Sequence, residues 1–265
     1  LKSARSERFK SAEGRAQALA RAHAHGIEGL IVLGGDGSFR GAMTLEAAGF
    51  PCIGIPATID NDIACTEHCI GFDTAVNTVV DAINKIRDTA TSHERIVVVE
   101  TMGRSSGYIA LYAGLAGGAE SILIPEAPID FAEICARVRA TQSRDKSHSI
   151  VVVAEGAFGP PESSLSFEQS AGFRVARTIR EQTGLETRLT ILGHLQRGGA
   201  PTAIDRIAAS RFGEAAVQLL AAGEHGVMVG LLNGVVQASP FAQAVAGQRP
   251  LDPAFHRLAG LLASQ

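Results

Sequence analysis

Three acidic groups and an amide crowd the stretch GIPATIDNDIACTEHCIG (54–71), which directly follows the apolar residues Ile53 and Ile55. Asp and Asn in such a place commonly close a turn on their own backbone. Asp60 and Asp62 also stand two residues apart, so an extended segment would put both carboxylates on one side. One carboxylate of such a pair can take a proton from a hydroxyl nucleophile while the other orients it or shares the field of a metal. In GGDGS (34–38), Gly34, Gly35 and Gly37 allow close approach of the backbone to a ligand, and a helix over 38–49 would aim its first N–H groups at an anion such as phosphate. Asp36 between those glycines is poorly placed to hold an anion and well placed to hold Mg²⁺ that holds phosphate oxygens in turn. The alternative is a tight βα turn with a helix-capping aspartate. MGRSSG (102–107), EGA (155–157) and GHLQRGG (193–199) add Arg104, His194 and Arg197 beside glycines. A guanidinium grips phosphate through paired N–H groups and stays charged at any relevant pH. Metal, base and phosphate clamps together describe phosphoryl transfer to a phosphorylated substrate.

The elements that must position these groups show in the apolar period. IEGLIVLGG, PCIGIPA, RIVVVET, ESILIPE, HSIVVVAEG, ETRLTILG and GVMVGLLNG are short apolar runs bounded by glycine, proline or charge, as expected for strands buried on both faces of a parallel sheet. Helical patterns lie between them. DTAVNTVVDAINKIRDTA places Val76, Val79, Val80, Ile83 and Ile86 on one face, with Asp73 as the N-cap. Gly26 and Gly49 suit helix C-termini. Alternating strand and helix to the end of the chain predicts an open α/β architecture, with strands enough for two sheets. In such sheets ligands bind beyond the carboxyl ends of the strands, and all five glycine-bearing polar segments fall there. They predict one shared site, or two facing halves of one.

Composition narrows the class. The 265 residues are 46% hydrophobic and 19% charged, enough to bury a full core. A formal net charge of -3 argues against nucleic acid as the main partner. No apolar run is long enough to span a bilayer and no secretory pattern opens the sequence, which predicts a cytoplasmic protein. The four cysteines (Cys52, Cys65, Cys69, Cys135) form no CxxC pair. Cys65, His68 and Cys69 as zinc ligands is the lesser reading beside reduced cytosolic thiols.

GGDGS, TIDNDI, MGR, AEGA and GHLQRGG, in that order and spacing, resemble 6-phosphofructokinases from Leu1 to about residue 240. GGDG alone occurs in other kinases; the remaining four motifs make the resemblance specific. It implies two Rossmann-like open-sheet domains: a nucleotide-binding domain over 1–71 plus 201–265 and a sugar-phosphate domain over 72–200. It implies transfer of a phosphoryl group from Mg²⁺-bound ATP to the 1-hydroxyl of fructose 6-phosphate. Asp60 would be the base, with Thr58 and Asp62 beside it. Asp36 would sit on the metal within the nucleotide loop of Gly35, Gly37 and Ser38. Arg104 and Arg5 would meet the transferring phosphoryl group and the nucleotide phosphates. Met102, Gly103 and Glu155 would contact the sugar, and His194 and Arg197 its 6-phosphate, joined by Arg95 and Arg188 from a neighbouring subunit. The family is usually tetrameric, with an effector site that Arg87, Glu120, Arg144 and Lys146 match; a charged helix end before a strand also explains the last two.

Three features depart from the family pattern. The sequence starts at Leu1, close to Arg5, where relatives have a preceding βα segment with a glycine-rich loop over the ATP phosphates. Ala57 stands where ATP-using members typically have glycine. FGPPESSLSFEQS (158–170) reads as a Pro/Ser-rich surface insertion. A non-catalytic homologue or fragment that binds sugar phosphate without turnover, and a pyrophosphate-dependent enzyme, are the alternatives.

Overall fold

The computed structural model describes residues 6–91, 95–143, 148–160 and 166–263. Its strands are β1 (Leu30–Gly34), β2 (Cys52–Pro56), β3 (Ile96–Thr101), β4 (Ser121–Leu123), β5 (Ser149–Ala154), β6 (Thr187–Ile191), β7 (Val227–Leu232) and β8 (Val235–Pro240). The first seven fall inside the seven apolar runs. β8 was not expected. It returns antiparallel on β7 through Asn233–Gly234, both at positive φ (51° and 77°), the Asn-Gly signature of a tight hairpin.

The chain divides into two compact units, Leu1–Thr58 with Ile63–His68 and Ile207–Arg249, and Ile59–Asp62 with Cys69–Arg206 and Pro250–Gln265. In the first, the sheet order is β1-β2-β7-β8, with β1, β2 and β7 parallel. Phe39 from the helix Asp36–Glu46 and Phe241 pack over β2, ring centroids 5.6 Å apart. They close on Gly54 so tightly that a Cβ there would lie 2.6 Å from Phe241 and 2.7 Å from Phe39, which is why a glycine interrupts this buried strand. β1 is an outer strand of the sheet, and Leu33 on it is 63% exposed.

In the second unit the sheet order is β4-β5-β3-β6, all parallel. β3 and β5 are buried along their whole length, as continuous apolar runs require. One face is covered by the helix Phe72–Thr91, through Val76, Val79 and Ile83, and by the apolar helix Tyr108–Ala116. The other is covered by Phe131–Ser143 and Ala171–Thr183, through Val138, Val175 and Ile179.

Several local expectations change. The helix Phe72–Thr91 begins one residue before Asp73, and its cap is Asp205, 1% exposed, whose Oδ1 accepts from Gly71 N–H (2.9 Å) and whose Oδ2 accepts from Thr74 N–H (2.9 Å) and the Thr74 hydroxyl. A carboxylate distant in sequence serves as well as a local one. The helix after GGDGS starts at Asp36, earlier than 38, and ends at Glu46, with Gly49 at φ 78° in the turn beyond. Residues 250–263 pack in the second unit, where the domain division from sequence put them in the first. Ala259 joins that core, Phe255 stacks on Tyr112 (5.3 Å, 14°), and the Tyr108 hydroxyl donates to Pro250 O (2.9 Å). The described ends of the 158–170 segment lie at the surface, with Gly159, Pro160 and Ser166 to Gln169 exposed, yet they are anchored. Phe158 stacks on Phe131 under Arg174, whose guanidinium sits 4.1 Å from the ring, and Ser166 to Ser170 form a capped turn into the next helix.

Candidate active site

In the second unit, residues 59–62 bring Asp60 into the protein at 4% exposure. Asn61 holds the segment in place: it is 1% exposed, sits at φ 51°, and its Oδ1 accepts from Cys69 N–H at 2.8 Å. That left-handed residue means Asp60 and Asp62 are not placed by extended alternation, as the sequence suggested. They interact nonetheless. Burial raises the Asp60 carboxyl above the usual aspartate range and the Asp62 carboxylate pushes it further, Arg104 and then Arg197 pull it back, and Glu155 pushes upward again. The Arg104 Nε lies 3.7 Å from Asp60 Oδ2.

Arg104 stands in a loop that follows β3. Its own φ is 53° and that of Gly103 is 141°. Glu155, after β5, accepts from both residues through one oxygen: Oε1 to Gly103 N at 3.0 Å and to Arg104 N at 2.7 Å. A Cβ on Gly156 would sit 1.8 Å from the Arg104 carbonyl oxygen, so only glycine fits under this loop. Met102 N–H donates to Gln196 Oε1 at 3.2 Å, and Ser106 Oγ donates to the Asp60 carbonyl at 3.0 Å. His194 and Arg197 lie exposed on the turn Gly193–Arg197 after β6. Asp60, Asp62, Arg104, Glu155 and Arg197 thus converge from four segments of one unit. A buried carboxylate that favours its proton, facing two guanidinium groups, can accept a proton from a bound hydroxyl beside an anion.

In the first unit, β1 ends at Gly34 and the helix starts at Asp36 with Gly35 as N-cap. Gly34 is required by packing, since a Cβ there would lie 2.2 Å from Ser38 Oγ. Gly35 faces Thr58 at an ordinary 3.6 Å. Gly37 meets nothing within 4 Å and has no positive φ, so the fold gives no reason for a residue that costs a helix about 1 kcal/mol relative to alanine. The Asp36 side chain is 54% exposed, with Arg40 Nε 3.9 Å away.

A model of the family described as phosphofructokinase matches residues 1–220. The chain belongs to the phosphofructokinase family. The ATP-dependent 6-phosphofructokinase of Halothermothrix orenii is 53% identical over 263 residues, 99% of this chain and 79% of that protein. That of Brevibacillus brevis is 55% identical over 262 residues, 99% of this chain and 78% of that protein. Among solved structures, phosphofructokinase from Saccharomyces cerevisiae superposes with a TM-score of 0.82 at 31% identity, covering 98% of this chain and 38% of the yeast chain.

Other residues matched to phosphofructokinase motifs lie elsewhere. Arg95 and Arg188 both pair with Glu186, Arg95 Nε at 3.2 Å, at the end of the second sheet where β3 and β6 begin. Roughly 10 Å of strand separates Arg188 from the end of β6 at Ile191, two residues before the turn carrying His194. Arg87 donates to the carbonyls of Gly117 and Gly118, on the turn leading to Glu120, whose Oε2 accepts from Ile150 N–H at 2.7 Å. Arg5, Arg144 and Lys146 lie outside the described residues. Sequence reading missed Ser106, Gln196 and Glu100, and read Asn61 as a turn residue only. Glu100, 7% exposed in β3, accepts from Gly172 N–H at 2.6 Å, and burial raises its carboxyl against the pull of that bond and of Ser170. Its signal was a charge inside the apolar run RIVVVET.

Proposed function

We propose that this protein transfers the terminal phosphoryl group of ATP to the 1-hydroxyl of fructose 6-phosphate, giving fructose 1,6-bisphosphate and ADP, a step of glycolysis in the cytoplasm. The observation that carries the mechanism is Asp60, a carboxylate 4% exposed, with its affinity for a proton raised by burial and a guanidinium 3.7 Å away. Asp60 takes the proton as the C1 oxygen forms its bond to phosphorus and the bond to the departing ADP breaks. Arg104 meets the charge on the transferring group, Asp62 and Thr58 flank the base, and Met102, Gly103 and Glu155 face the sugar. His194 and Arg197 hold the 6-phosphate.

Gly35, Gly37 and Ser38 form the nucleotide loop, with Gly37 left open for the phosphates. An exposed carboxylate at Asp36 fits one contact to a hydrated Mg²⁺, which characteristically binds one or two carboxylates together with substrate phosphates. Asp36 would hold the Mg²⁺, which would supply positive charge to the phosphate oxygens. Arg5 belongs to the same nucleotide site. We further propose a homotetramer in which Arg95 and Arg188 reach the 6-phosphate of a neighbouring subunit, with Arg87, Glu120, Arg144 and Lys146 forming an effector site. Among the described residues no helix is long and apolar enough to cross a membrane.

Incubation with fructose 6-phosphate, ATP and Mg²⁺ tests the reading. Formation of fructose 1,6-bisphosphate and ADP in equal amounts is expected, and sugar phosphate that binds without any product would overturn it in favour of a binding protein.

A further inference from the structure

Gln196 is 1% exposed, and both ends of its amide are used. Oε1 accepts from Met102 N–H at 3.2 Å, and Nε2 donates to the Gly193 carbonyl at 3.0 Å. The next two N–H groups along the chain, those of Gly103 and Arg104, donate to Glu155 Oε1. Three consecutive backbone donors beyond the end of β3 are therefore satisfied by two side chains from two other strand ends. The loop they hold is an unusual one. Arg104 at φ 53° occupies a region that residues with a Cβ seldom adopt, and such conformations persist only where surrounding bonds over-determine them. Glutamine is the residue this place asks for: leucine would supply neither bond, and a carboxylate would supply the acceptor without the donor.

We propose that Gln196 is a positioning residue for the phosphoryl-transfer site. With Glu155 it fixes residues 102–104 so that the Arg104 guanidinium stands beside Asp60, and it ties that loop to the Gly193–Arg197 turn that carries His194 and Arg197. This rests on the functional reading above, yet the tie itself can be tested without turnover.

The variants are Gln196→Leu and the gentler, volume-conserving Gln196→Met, each made in the wild-type protein and with Arg104→Ala. Misplacement of a reacting group by about 1 Å costs up to about 100-fold, so either single variant is expected to lower kcat/KM for fructose 6-phosphate by about 10–100-fold. In the Arg104→Ala protein, where the guanidinium to be positioned is gone, the same change should cost less than about 3-fold, a non-additive cycle. Independently, amide hydrogen exchange at Met102, Gly103 and Arg104 should quicken by about tenfold or more while the β3 core amides keep their protection. Full additivity, with the same loss in both backgrounds and a fall in Tm, would reveal a residue that merely holds the fold and would overturn the proposal. Unchanged exchange at Met102 would overturn it as well. A wild-type protein without transfer activity would refute the functional reading alone, and the exchange measurement would still decide the role of Gln196.

Discussion

Replacing Asp60 with serine separates chemistry from binding and from stability. If Asp60 takes the hydroxyl proton, Asp60→Ser removes a general base, whose contribution is typically about 10²–10⁴-fold, or about 3–5 kcal/mol of transition-state stabilisation. Affinity for fructose 6-phosphate should change far less, because the carboxylate acts when the proton moves. Burial gives two further expectations. The wild-type kcat/KM should fall at low pH with a midpoint above the ordinary aspartate value of about 4. Arg104→Ala, which removes the nearest charge pulling that midpoint down, should move it higher still. A carboxyl whose pKa is raised on folding binds its proton more tightly in the native state. Its stabilising contribution is complete below the unfolded pKa and is lost as pH rises through the folded one. At any pH above that folded value the ionised Asp60 therefore weighs against the fold. The contact to Arg104, whose side chain is 54% exposed, offsets this only by about 0–1 kcal/mol. Asp60→Ser should consequently raise Tm at pH 7, or leave it unchanged, while turnover collapses. Initial rates of ADP release from pH 4 to 9, calorimetric titration with fructose 6-phosphate and thermal melts measure all three. Turnover near the wild-type level, or an acid limb centred at the ordinary aspartate value, would refute the assignment of the base.

Gly37→Asp places a carboxylate in open space at the proposed nucleotide loop. It should weaken ATP by at least about 1–3 kcal/mol without loss of Tm, and faster turnover of the wild-type protein with pyrophosphate than with ATP would show the loop misread. Arg95→Ser should raise KM for fructose 6-phosphate, and mixing it with Asp60→Ser should recover activity through hybrid sites; no recovery with subunit exchange confirmed would confine the ligands to one chain. Asp205→Ala strips two N–H groups and a hydroxyl of their buried acceptor at the start of the helix Phe72–Thr91. It should destabilise the protein by about 1–3 kcal/mol in urea melts with little effect on the KM for ATP.

Seven strands, the long helix Phe72–Thr91 and the two-sheet α/β architecture were legible in the sequence because each rests on a local period of apolar residues broken by glycine, proline or charge. β8 escaped because its alternation is weak (Val235, Gln237 and Ala238 are all exposed), although Asn233–Gly234 marked its turn. The motifs after each strand were also legible, since a parallel sheet gathers its strand ends on one side whatever lies between them in sequence. Distances were another matter. That Asp60 is buried, that Asn61 turns the backbone out of extension, and that Asp205 caps a helix 131 residues away depend on contacts between segments far apart in the chain. Glu155 shows the difference most plainly. The family resemblance of its AEGA motif implied a sugar ligand, yet only the folded chain brings its oxygen within 3.0 Å of two backbone donors on the Arg104 loop, because hydrogen bonds join neighbours in space.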